Sequence, residues 1–151
     1  MSVVATIRPD SWNFPLFLHV LGAMILVGGV LTCASALAFA RGDTRMLRLG
    51  YWTLLAVGLP GYLLMRVGAE WIYSKEGLDD VANEPDWIGL GYLIADTGAL
   101  VLLVALVTGG VGVYRQREGK GSVLLRITLA LSVVLLAAYV VAVWAMSGKP
   151  G

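Results

Sequence analysis

Four apolar runs dominate this chain, at about residues 14–40, 51–73, 87–114 and 123–146. Each exceeds the ~20 residues with which an α-helix crosses a ~30 Å hydrocarbon layer. Such a layer has no water to hydrogen-bond the backbone, so only helices or closed barrels can span it. Leu, Ala, Val and Gly fill the runs without the period-two alternation of barrel strands, which selects helices. The expected fold is all-α: a four-transmembrane-helix bundle, with residues 1–151 forming a single transmembrane domain. A hydrophobic share of 58% against 14% charged residues agrees with a lipid bilayer as the surrounding medium. A net charge of +1 provides no basic field for nucleic acid.

The segments between the runs set the direction. Residues 40–50 carry Arg41, Arg45 and Arg48, and residues 115–126 carry Arg115, Arg117, Lys120 and Arg126, each segment with one acid. The segment between them, residues 74–86, has Lys75 against Glu76, Asp79, Asp80, Glu84 and Asp86. Only Arg8 and Lys149 join Lys75 on the acidic side. Because basic residues in short loops stay cytoplasmic, both termini are expected to face outward, as N-out/C-out. Trp12, Trp71, Tyr73, Trp87 and Trp144 then lie at the outer ends and Tyr51, Trp52 and Tyr114 at the inner ends, as membrane anchors. The first run is too long for a signal-peptide core, and its basic cluster follows rather than precedes it. The expected location is the bacterial inner membrane, as a multi-pass protein.

Ionisable groups within spans are costly enough to be functional candidates. They are His19, Arg66, Glu70 and Asp96, with Tyr62, Tyr92 and Tyr139 as hydroxyl carriers. Counting inward at the helical rise puts His19 at about 7–8 Å, Arg66 and Tyr139 at about 10 Å, and Asp96 at about 13 Å from the outer span ends. All four spans thus contribute a polar group to the outer half. Arg66 can pair along its own helix with Glu70, pair with Asp96, or meet an acidic ligand such as a haem propionate. Tyr62 shares the Arg66 face. Asp96, on a short side chain, must be neutral, paired or facing water; pairing with Arg66 and a proton relay both fit.

His19 is the single histidine, and Cys33 the single cysteine. The two cannot assemble a zinc or copper site by spacing, and no hydrolase triad or phosphate loop is present. His19 can bond a neighbouring helix or serve as an axial haem ligand. Gly22, on its face, admits either another helix or a flat macrocycle, and Gly28 and Gly29 thin the same helix. One histidine permits five-coordinate iron, a His/Met pair with Met65 as distal candidate, or a site completed by a second copy in a homodimer. Pro60, between Gly58 and Gly61, is expected to kink the second span.

With LHVLGAMILVGGVL at residues 18–31 opening an N-out four-helix chain, the sequence resembles the small bacterial integral membrane proteins of the DUF2269 group. More distantly it is similar to the CopD-like copper-resistance proteins and the HemJ-type protoporphyrinogen oxidases. The latter resemblance implies haem at His19. The chain lacks the intramembrane lysine and the tryptophan-glycine motif of that family, so porphyrinogen oxidation is not implied. The leading expectation is a membrane b-type haem protein, with His19, Gly22, Tyr62, Met65, Arg66 and Asp96 around the cofactor and a quinone or other redox partner. Whether it is an enzyme is left open. The alternatives are a small dimeric solute, proton or metal transporter using Asp96 and Arg66, and a structural subunit of a membrane complex.

Overall fold

The computed structural model describes residues 10–77 and 86–148. A short 3-10 turn, Asp10–Trp12, leads into α1, Asn13–Phe39. Next come α2, Thr44–Thr53, a π-helical turn over Leu54–Gly58, and α3, Leu59–Lys75, which together form one membrane-length helix. The remaining helices are α4, Asp86–Arg115, and α5, Ser122–Gly148. Four helices are therefore long and apolar enough to cross a membrane, and no strand occurs among the described residues. Arg8, Asp79, Asp80, Glu84, Lys149 and the Arg117 side chain, all used in the orientation argument, lie outside what is described.

Three spans fall close to their expected limits; the second does not. It begins at Thr44 rather than Tyr51, because Asp43 caps it by accepting the Arg45 N–H at 2.8 Å. The basic segment is thus mostly helix, with Leu47 and Gly50 buried and Arg45 and Arg48 exposed. The connection is reduced to a tight corner in which Arg41 and Gly42 have φ of 43° and 91°. Pro60 has no N–H to give the carbonyl one turn earlier. The helix widens just ahead of it, where the Leu59 N–H reaches back to the Leu54 carbonyl.

Helices in lipid gain little from hydrophobic burial and associate through close packing of small residues. Here α1 and α3 meet backbone to backbone. A Cβ added at Gly61 would stand 2.9 Å from Leu26 Cα, and one added at Gly68 would stand 2.7 Å from His19 Cα. Gly29 meets Gly58 in the same way, 2.9 Å from its Cα. On its other side α1 packs on α5, and α5 packs on α4. Thr108 and Thr128 join α4 to α5 by a 2.9 Å hydroxyl bond, and the buried Thr128 and Ser132 hydroxyls also donate to the carbonyls of Leu124 and Thr128. At the end of the bundle that carries the α1–α2 corner, the Tyr51 ring lies against Gly109 and Gly110 of α4, closing the bundle. Towards the other end α3 and α4 scarcely touch. Phe14, Phe17, Met24, Leu100, Val107 and Val140 are exposed, as expected of lipid-facing positions.

Candidate functional site

The wedge between α3 and α4 contains a cavity of about 370 Å³, bounded by all four spans. Its walls are mainly aliphatic and aromatic, with Ile72, Ile94, Trp87 and Met146 among them, and its polar side chains include His19, Arg66, Tyr92 and Tyr139. A largely apolar hollow with a few polar groups is the usual form of a small-molecule site.

His19 is brought there by the glycine contact of α1 with α3. Its Nδ1 lies 3.0 Å from the Met65 carbonyl oxygen, which can only accept, so Nδ1 carries the proton. In the neutral ring Nε2 is then the bare nitrogen. A second hydrogen bond that fixes tautomer and ring plane is how ligating histidines are commonly held. The expected bond to a neighbouring helix is present, and His19 also lines the cavity.

Arg66 is more heavily engaged than any one of its three sequence alternatives supposed. Its Nη2 is 3.1 Å from Glu70 Oε1 on its own helix and 3.2 Å from Asp96 Oδ1 on α4, and its Cζ stands 4.8 Å from the centre of the Tyr92 ring. Two carboxylates against one guanidinium leave the group with an excess of one negative charge. Arg66 thus brings no spare positive charge for a propionate. The Asp96 side chain is 64% exposed, on the rim of the wedge, and does not line the cavity. Beside this ion pair the Tyr62 hydroxyl donates to the Ala95 carbonyl at 3.4 Å, so two polar links bridge the gap between α3 and α4.

Of the residues expected at the site, His19, Met65 and Arg66 line the cavity, whereas Tyr62 and Asp96 tie its rim. Gly22 faces elsewhere: a Cβ there would stand 2.8 Å from the Gly61 carbonyl oxygen and collide with the Met65 backbone. Another helix, not a macrocycle, fills the space it leaves. Met65, the distal candidate, lines the cavity while its carbonyl oxygen accepts from the His19 Nδ1.

Tyr139, counted by depth into the polar layer but not among the residues expected around the cofactor, also belongs to the site. It is 6% exposed, it lines the cavity, and its buried hydroxyl has no hydrogen-bond partner. The hydroxyl is accommodated by Gly98, where an added Cβ would be 3.4 Å away. An unsatisfied buried donor costs about 1–3 kcal/mol, so it marks a place where a ligand acceptor is worth most. The sequence signal was present in the matching depths of Tyr139 and Arg66, but the Gly98 notch is a matter of helix rotation. Trp87 was expected only as an anchor, yet it lines the wall. Among the described residues no three His, Cys, Asp or Glu side chains gather, so a protein-only metal cage has no ligand set.

The chain matches no protein-family model, no curated protein and no solved structure.

Proposed function

We propose that this protein is a membrane redox protein whose outer-half cavity holds a flat lipophilic group against His19, with b-type haem as the leading identity. One observation carries the reading: the Nδ1–H of His19 is committed to the Met65 carbonyl, leaving a bare Nε2 on an imidazole that borders an apolar cavity. Imidazole held in this way suits axial ligation, and haem would supply one-electron chemistry. The protein's part is to fix the ring, exclude water with the aliphatic wall, and offer the Tyr139 hydroxyl as a donor. With one histidine per chain, a monomer would hold iron through His19, with Met65 of the same cavity as the second candidate ligand.

The test is the visible spectrum of the full chain purified after expression with added haem precursor. The expected result is a Soret band with a sharpened α-band on reduction, lost in His19→Ala. A featureless spectrum in the wild-type protein refutes the haem assignment.

A quinone is the second reading, favoured by the unpartnered Tyr139 hydroxyl, which can donate to a ring carbonyl. Saturable quinone binding to a colourless protein, weakened about tenfold by Tyr139→Phe, selects it; a tenfold loss corresponds to about 1.4 kcal/mol, within the range of one hydrogen bond.

A further inference from the structure

A second cavity, of about 280 Å³, lies at the opposite end of the bundle, between the α1–α2 corner and the start of α5. Arg41, Gln116, Ser122 and Arg126 form its polar side, and leucines of α1, α2 and α5 form the other. Neither arginine has a carboxylate partner among the described residues, since both ion pairs found there belong to Arg66. Of the nearby acids, Asp43 is occupied in capping α2. The Gln116 Oε1 is buried without a hydrogen-bond partner. Arg41 is moreover held at φ 43°, a left-handed backbone that a side chain adopts only at a cost and that Gly42 beside it would take freely.

Two unpaired guanidinium groups, an acceptor lacking a donor and an aliphatic wall share one cavity at the end of the spans. We infer that it binds the headgroup of an anionic glycerophospholipid bearing a free hydroxyl. Arg41 and Arg126 take the phosphate, the headgroup hydroxyl donates to Gln116 Oε1, and the first acyl carbons lie on the leucines. The leucine wall favours a lipid over free phosphate, which has nothing to place there. Arg45, Arg48, Arg115 and Lys120, exposed on the same end, add the field that draws anionic lipid.

The experiment is native mass spectrometry of the full chain in detergent, titrated with phosphatidylglycerol or phosphatidylcholine, and with inorganic phosphate as competitor. One phosphatidylglycerol is expected to be retained about tenfold more tightly than phosphatidylcholine. The double variant Arg41→Gln/Arg126→Gln should remove that preference, while Arg45→Gln/Arg48→Gln keeps most of it. If the first double variant does not fold, Arg126→Lys and Gln116→Leu decide: each must weaken phosphatidylglycerol and spare phosphatidylcholine. Equal retention of the two lipids, or no effect of these variants, overturns the proposal. Displacement of the lipid by millimolar inorganic phosphate reassigns the cavity to a soluble phosphate and overturns the lipid assignment.

Discussion

Arg66 shows how one side chain can satisfy two readings that its sequence context presents as alternatives. The four-residue spacing to Glu70 is visible in the sequence and gives a same-face pair. The bond to Asp96 depends on the rotation of α4, which spacing does not encode; the cost of a carboxylate in lipid required only that it be neutral, paired or facing water, and Arg66 was the simplest partner. Arg66→Gln should therefore destabilise the protein by leaving two carboxylates without a cation. Arg66→Gln/Asp96→Asn should recover part of the loss. A double-mutant cycle in detergent unfolding is expected to give a coupling of about 1 kcal/mol, the scale of interhelical polar contacts in membranes. A coupling near zero would mean that Asp96 is solvated by headgroups and not held by Arg66. His19 was legible as a residue of the polar layer, but its tautomer was not. That follows only from the close approach of α3, which puts a carbonyl on Nδ1.

At the level of helices, span number and character could be read from hydropathy because lipid imposes length and apolarity on every crossing segment. The helical start at Thr44 could not, since positive charge reads as a loop unless the Asp43 cap and the buried Leu47–Gly50 side are weighed as well. Glycine function was also hidden in the sequence. Gly22 and Gly28 lie on one helix, but Gly22 touches the α3 backbone while a Cβ at Gly28 meets nothing within 4 Å. Substitutions should therefore divide sharply. Gly61→Val and Gly68→Ala force apart helices already in backbone contact, and the cost of overpacking, about 1–3 kcal/mol, should appear in detergent unfolding. Gly28→Ala should be neutral or slightly stabilising, as alanine is the better helix former. Gly68→Ala has a second expected consequence, because the same contact holds His19 to Met65: any ligand bound through His19 should be lost at a milder denaturant concentration than that at which the helices unfold. Equal destabilisation by Gly28→Ala and Gly61→Val would mean that α1 and α3 do not meet through Gly61.

The whole molecule is asymmetric along the membrane normal. At one end Tyr51 closes α2 on α4 and arginines crowd the surface, while at the other α3 and α4 diverge around a cavity whose rim is tied by the Arg66–Asp96 pair. The loop charges predict the closed basic end to be cytoplasmic and the cavity to open toward the outer leaflet. This direction can be tested without an added reference protein, because the native Cys33 is wholly buried and is expected to be silent to a membrane-impermeant maleimide. A cysteine at Ser74, exposed next to the outer end of α3, should then label in intact cells. A cysteine at Lys120, exposed before α5, should label only after the membrane is opened. The reverse pattern would invert the molecule, putting the His19 cavity in the cytoplasmic leaflet and the arginine cavity outside. Labelling of both in intact cells would indicate mixed insertion, in which the ten-residue amphipathic α2, with its exposed arginines, does not anchor the chain on one side.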